Sequence, residues 1–356
     1  MLRSKGTGRG AGGTNHAVQA ANREIPRIMA KKREKRKLWA GVDIGGTKIQ
    51  VSLFDDDLKR VGMGRCKTRG LAGFPQVFQR IIALIVEVLD EKDIPRSALA
   101  GIGAGCPGPL DLDRGIIREA PNLGWKNIRI KALFEKEFKR PAFILNDVDA
   151  GVFGEYRFGA ARGAHCAVGI FPGTGVGGGC VYEGKILRGR TGSCMEIGHI
   201  PLLPGGPRSG AGLHGTLESL TGRLAVASTA AAAAFRGDAP RLHDDVGFDV
   251  GKIRSKAIAE AIRKGDKEVE EIVREAARWL GAGISVAVHM LAPDIVVLGG
   301  GFVGAMPGIW IEESRRAAEE RLLPSFRKIF KIRIAELGDD ATAAGAAAWA
   351  RLMVEK

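Results

Sequence analysis

The sequence predicts an α/β protein of two lobes, and three observations carry that expectation. Stretches with strand and helix patterning alternate along the chain, which favours sheets covered by helices. The 356 residues exceed one average domain. A strand–glycine turn–strand unit occurs twice, at 38–54 and again at 165–182.

Taken in order, Leu38-Trp39-Ala40-Gly41-Val42 and Ile49–Phe54 read as strands, being rich in β-branched and aromatic residues. They flank Asp43-Ile44-Gly45-Gly46-Thr47-Lys48. Phe74 to Leu89 carries apolar residues at helical spacing. A strand at 99–105 closes on Cys106-Pro107-Gly108-Pro109, and a loop holds Ala120–Trp125. A helix over 130–138 and the apolar strand 142–145 follow, ending at Asn146-Asp147. Residues 150–158 read as helix and 165–170 as strand. Gly173–Gly179 reads as a turn, with a strand at 180–182. Residues 188–216 are glycine-rich and irregular, long enough to point to function rather than mere connection. Helices at 217–235, 253–264 and 268–291 lead to a strand at 294–298 and Gly299-Gly300-Gly301. A helix at 309–322, a strand at 332–335 and an alanine-rich helix at 341–354 close the chain.

Composition is that of a globular protein, 45% hydrophobic and 26% charged. No apolar run approaches the ~18–20 residues that span a bilayer, and the basic start lacks the apolar segment of a secretory signal. Five cysteines without a CxxC pair fit reduced thiols in a cytoplasm. The net charge of +14 is uneven. Residues 1–37 hold eleven Lys/Arg against two Glu, a surplus of nine, so the body is only mildly basic. This segment reads as a disordered, solvated tail, and Met29 stands as an alternative start just ahead of its basic run.

Two stretches imitate the dinucleotide pattern GxGxxG: Gly173-x-Gly175-x-x-Gly178 and Gly299-x-Gly301-x-x-Gly304. That pattern needs a strand before it and a helix directly after. The first runs into another strand. The second is delayed from its helix by Pro307-Gly308 and lies late in the chain. Neither is read as a nicotinamide site, and no P-loop motif is present. Glycine turns at strand ends instead suit phosphate oxygens, which need several converging N–H donors. Gly45-Gly46 alone would be an ordinary hairpin turn; Asp43 before it suits Mg²⁺, and Thr47 and Lys48 add a hydroxyl and a cation.

Asn146-Asp147 can be read two ways from the residues, as a proton acceptor at a sheet mouth or as a helix cap. Glu196-Ile197-Gly198-His199 and Glu218 could bind a polyhydroxylated ligand.

In this order DIGGTK at 43–48, CPGPLD at 106–111, Pro121-Asn122-Leu123, Asn146-Asp147, GTGVGGG at 173–179, EIGH at 196–199, Leu217-Glu218, LGGG at 298–301 and LGDD at 337–340 resemble the ROK family of sugar kinases. The resemblance is collinear over about 38–355. It implies the two-lobed actin-like ATPase (ribonuclease H-like) fold, with five-stranded mixed sheets and the ligand cleft between lobes. The small lobe would take 38–148 plus 340–356, and the large lobe 149–339. Asp147 matches the family's catalytic base, and Asn146, Glu196, His199, Glu218 and Asn122 match substrate-binding positions. Gly45, Gly46, Thr47, Lys48 and Gly173, Thr174, Gly175 match the phosphate loops, and Gly299, Gly300, Gly301 the loop beside adenosine. Asp43 would face Mg²⁺.

One departure is informative. Many members carry a CxCGxxGCxE zinc motif, and aligning its acid on Glu218 puts Ser209, Ala211 and Thr216 at the three cysteine positions. A structural zinc wants four N/S ligands, so no zinc is expected, and 204–215 must be ordered by packing or by substrate. The implied function is an ATP- and Mg²⁺-dependent hexose kinase, foremost a glucokinase acting on the 6-hydroxyl, as a cytoplasmic homodimer with no membrane or nucleic-acid partner. Alternatives are a kinase for fructose, mannose, allose or an N-acetylhexosamine, or a ROK-type sugar-responsive regulator. The basic tail is too short for that regulator's winged helix-turn-helix.

Overall fold

The computed structural model describes residues 37–70, 73–190 and 192–356. The expected disordered tail lies outside the described residues except for Lys37, which is exposed.

The first half builds one five-stranded sheet. β1 (Leu38–Ile44) and β2 (Lys48–Phe54) pair antiparallel around the first glycine turn, and β3 (Arg60–Lys67) pairs on the outer edge of β2. β3 escapes a sequence reading because Arg60, Met63, Arg65 and Lys67 interrupt its apolar pattern, as suits an exposed edge. α1 (Phe74–Asp90) buries Val77, Phe78, Ile81, Ile82, Leu84, Ile85, Val88 and Leu89 along one stripe. β4 (Leu99–Cys106) runs parallel to β1. A small sheet of β5 (Leu110–Asp111), β6 (Ile116–Ala120) and β7 (Trp125–Ile128) occupies what reads as a loop. α2 (Ile130–Phe138) and β8 (Ala142–Asn146) follow, β8 parallel to β4. α3 (Asp147–Phe158) starts at Asp147 itself, three residues earlier than its apolar pattern indicates.

The second sheet repeats this plan. β9 (Cys166–Pro172) and β10 (Val176–Tyr182) form its glycine hairpin and β11 (Lys185–Ile186) its edge. β10 therefore takes up Val176–Gly179, leaving only Gly173–Gly175 as turn. Two short strands, β12 (Arg188–Gly189) and β13 (Gly192–Ser193), make a hairpin of their own. The helix expected over 217–235 is two, α4 (Leu217–Thr221) and α5 (Arg223–Arg236), because Gly222 between them is extended. The break frees the Arg223 N–H to donate to the Gly173 carbonyl, 2.9 Å away. α6 (Pro240–Val246), α7 (Ser255–Arg263) and the long α8 (Lys267–Leu291) cover one face. β14 (Ile295–Leu298) runs parallel to β9. Its glycine loop passes directly into α9 (Gly301–Ala305), with Pro307 opening α10 (Pro307–Arg321) rather than delaying a helix. Because β15 (Lys331–Ile334) returns parallel to β14, Gly299–Gly304 does open a β–α–β unit, contrary to the sequence reading.

The sheet orders are β3-β2-β1-β4-β8 and β11-β10-β9-β14-β15, identical in sequence rank and strand direction. The short echo between the two glycine hairpins thus belongs to a whole repeated unit. Each fifth strand is followed by an aspartate at the start of a helix: Asp147, after Asn146, at α3, and Asp340, after Asp339, at α11 (Ala341–Val354). Those two helices cross, and α11 also packs on β1 and β4 of the first sheet. Separate cores fill the two halves, and a third, around Trp39, Phe153 and Trp349, joins them at the crossing.

Candidate active site

Asp147 stands where β8 becomes α3. The capping reading of its dipeptide holds, and on Asn146 rather than Asp147. Asn146 is the cap, its Oδ1 accepting from the Val148 N–H at 2.9 Å and the Asp149 N–H at 3.2 Å. That leaves Asp147 in the first turn, half-buried, with one carboxylate oxygen accepting from the Val148 N–H at 3.0 Å. Burial pushes Asp147 up to about 6, against the lowering pull of the helix-start amides, and the Glu196 carboxylate adds to the rise.

Asp43 is the next-to-last residue of β1, in register with Gly105 of β4, which in turn pairs with Leu145 of β8. Two strand spacings, about 10 Å, therefore separate the backbones of Asp43 and the β8 terminus. Burial raises Asp43 to about 7, the facing Asp147 charge adds to that, and Lys48 opposes it.

Glu196 and His199 are held by a short 3₁₀ turn, Ile197–His199, laid on β10. Ile197 is buried there, and Gly198 lies so close that a Cβ would sit 2.1 Å from the Val176 carbonyl. Glycine is required at that contact. His199 Nε2 lies 3.9 Å from the Glu196 carboxylate. Together with Asn146 they line one side of a cleft of about 1210 Å³.

The other side of that cleft comes from the end of the CPGPLD stretch and from residues to which the sequence assigned no role. Leu110–Arg114 and Arg118 face Arg188 to Arg190, and Gly192 lies beside the Leu110 carbonyl. The signal present was the cationic Arg188-Gly189-Arg190 inside a glycine-rich stretch. Arg188 stacks on the Trp349 ring at 4.6 Å, joining this hairpin to α11.

The remaining expected site residues lie at the glycine turns and do not line this cleft. Gly45–Lys48 closes with a 3.0 Å bond from the Gly45 N–H to the Lys48 carbonyl, and Asn122 lies beside Gly46. Lys48 is not a bare cation: its Nζ pairs with Asp339 at 2.5 Å in an exposed ion pair. In the other turn, Glu218 accepts from the Val176 N–H at 3.2 Å and packs on Gly175, while Arg223 donates to Thr174 Oγ1 at 3.3 Å. Gly299–Gly301 follows β14, the neighbour of β9, and Gly300 packs on the Pro172 carbonyl, so this loop abuts the Gly173–Gly175 turn.

Among the described residues no group of three or more His, Cys, Asp or Glu forms a metal cage. Asp43 nonetheless has the right chemistry for Mg²⁺, an ion that takes one or two carboxylates plus phosphate oxygens: it is a buried carboxylate with the Asp147 and Asp339 charges close by. The zinc donor set does not fit. Thr216 caps α4, Ser209 offers only a buried hydroxyl without a partner, and His199 Nδ1 is likewise buried and unpaired. The segment instead holds itself through backbone bonds, including Leu202 N–H to Gly215, Gly215 N–H to Pro207 and Ser209 N–H to Leu213.

Two matched glycine hairpins, a basic carboxylate and a polar cleft define an actin-like phosphotransfer scaffold of two lobes. The ROK family profile matches residues 39–352, and the chain belongs to that family. A glucokinase of Thermotoga maritima is 33% identical over 313 residues, covering 86% of this chain and 95% of that protein. A ROK family glucokinase from Streptomyces griseus, solved in complex with glucose and AMPPNP, superposes with a TM-score of 0.76 at 30% identity, covering 89% and 99% of the two chains. Regulators also occur among the relatives: a xylose repressor of Caldicellulosiruptor bescii is 24% identical over 96% of this chain and 82% of its own.

Proposed function

We propose that this protein is an ATP-dependent hexose kinase that phosphorylates the 6-hydroxyl of glucose. The carrying observation is Asp147, a half-buried carboxylate raised to about 6 by burial and the Glu196 charge, next in the chain to Asn146, which lines the cleft with Glu196 and His199. The glucokinase relatives, one solved with glucose and AMPPNP, support the same reading. As the hydroxyl oxygen attacks the γ-phosphorus, its proton passes to Asp147, the new P–O bond forms and ADP leaves. Asn146, Glu196 and His199 hold the other hydroxyls; Asn122 and Glu218 reach the sugar from the two glycine turns as the cleft closes. Amides of Gly45, Gly46, Thr47 and of Gly173, Thr174, Gly175 bind the phosphates, Lys48 adds its charge from its Asp339 pair, and Gly299–Gly301 lies beside adenosine. Mg²⁺ held through Asp43 would neutralise charge on the transferred group. Lobes at 38–148 plus 340–356 and at 149–339, a homodimer and a cytoplasmic location complete the proposal. No helix among the described residues is long and apolar enough to cross a membrane.

A coupled ADP-release assay over glucose, fructose, mannose, allose and N-acetylhexosamines, with ATP and polyphosphate as donors, tests it. The highest kcat/KM is expected for glucose with ATP. ADP release no faster than the sugar-free rate for every hexose would overturn the kinase reading.

The pH dependence has a definite sign. Asp147 works as a base only when ionised, so kcat/KM should fall about tenfold per unit below pH about 6. Stability runs the other way. Carboxylates raised above their ordinary 3.8 stabilise the fold below that value, and this contribution is lost as pH rises through about 6 for Asp147 and 7 for Asp43. Thermal melts should therefore show ligand-free Asp43→Asn more stable than the parent at pH 8, with the gap closing towards pH 4. A gap independent of pH would contradict this.

A further inference from the structure

A second cavity, of about 730 Å³, lies outside the cleft, beside the edge strand β15 and the 159–164 loop. Arg162, Lys328, Lys331 and Arg333 line it, all exposed, and none of the four side chains has a hydrogen-bond or ion-pair partner among the described residues. Two acids share the wall. Asp294 is already engaged, its carboxylate accepting from the His165 and Cys166 N–H groups, while Glu336 is exposed and leaves the lining with four cations against two acids. Four unpaired cations around one concavity repel each other, and a compact polyanion would relieve that repulsion.

The two walls meet at one buried carboxylate. Glu155 of α3, fully buried, accepts from the Ala160 N–H at 2.9 Å on the loop wall. It also accepts from the Glu336 N–H at 3.1 Å and the Leu337 N–H at 2.8 Å on the strand wall. Asp147 opens the same helix eight residues earlier, about 12 Å along the axis. The Glu336–Leu337 segment leads into Asp339, the partner of Lys48 in the first glycine turn. Any ligand that draws the cavity walls together pulls on both the catalytic helix and that turn.

We propose that this cavity is an effector site for a small phosphate-type polyanion, acting on turnover through Glu155 and α3. The inference goes beyond the kinase reading, and its binding arm needs no catalytic activity. Titration calorimetry of the full chain with inorganic pyrophosphate, in Mg²⁺-free buffer with AMPPNP saturating the phosphate loops, should give a Kd below about 1 mM. Arg162→Glu/Lys331→Glu should weaken it about tenfold or more, since each lost charge-assisted contact removes a substantial share of the affinity. Arg162→Gln/Lys331→Gln, a milder pair, should weaken it in the same direction and serves if the reversed pair does not fold. A parallel titration with a hexose 6-phosphate separates a sugar-phosphate effector from a free inorganic one by which binds tighter. At constant free Mg²⁺, pyrophosphate should change the turnover of the parent at least about twofold and leave that of the variants unaffected. No binding, equal binding in parent and variants, or binding that leaves turnover unchanged would each overturn the proposal.

Discussion

Asp147→Asn is expected to lower kcat about a thousandfold while leaving the hexose KM within a few-fold. Asparagine keeps the size of the side chain and an oxygen for the Val148 N–H, and Asn146 still caps α3. Only the ability to accept a proton is removed, and positioned acid–base groups contribute typically ~10²–10⁴-fold. What remains comes from the phosphate loops and from holding the hydroxyl in line. Steady-state kinetics by coupled ADP release, with glucose affinity measured independently by calorimetry, separates the two effects. A variant within threefold of the parent turnover would remove Asp147 from the chemistry.

The second large effect is expected far from any ligand. Gly345 sits where α11 crosses α3, and a Cβ there would lie 1.8 Å from the Ala150 carbonyl and 2.7 Å from the Gly154 N–H. Neither neighbour is a flexible side chain, so Gly345→Ala must push the helices apart. Overpacking of this kind costs about 3 kcal/mol or more, read as a fall in Tm of about 5 °C or more. Turnover should fall with it, because Thr342, one turn earlier on α11, donates to the Asp147 carbonyl at 3.2 Å. Gly308→Ala is the matched control. Gly308 lies in α10 with nothing within 4 Å of a Cβ, so alanine should be neutral or slightly stabilising there. Equal effects of the two substitutions would show that the crossing is not the constraint.

The pairing of Asp147 with Asp340 shows what repetition of the fold does to chemistry. Both follow the fifth strand of their sheet. Burial acts to raise Asp340 as well, but hydrogen bonds from Gln50 and Arg60 and the nearby Arg65 hold it below the ordinary range. Asp340 is thereby a clamp on β2 and β3, with Asp339 beside it on Lys48. Asp147 has no cationic partner among the described residues and is left able to take a proton.

Most of the long elements were legible because each buries one continuous apolar pattern: α1 at helical spacing, β4 and β8 as apolar runs. The parts that were not legible have the opposite character. β3 and β5–β7 are short or half-polar, so no apolar pattern marks them even though each pairs with its neighbour in the chain. The break at Gly222 depends on a hydrogen bond to Gly173, 50 residues away. The helix directly after Gly301 depends on Gly300 folding over the Pro172 carbonyl with φ +88°. Local pattern carries none of these contacts.

The sequence by itself determined the α/β class, the ordered motifs that place the chain in its family, and the candidate residues at both glycine turns and in the polar cluster. It did so because strand ends, glycine turns and apolar periodicity are local properties. Only the tertiary structure decided which acid is paired and which is free, that Glu218 braces the second glycine turn, and that Arg114, Arg118 and Arg188 to Arg190 complete the cleft. Charge and hydrogen-bond supply at a side chain are set by whatever the fold brings against it, often from hundreds of residues away. Lys48 and Asp339 are such a pair.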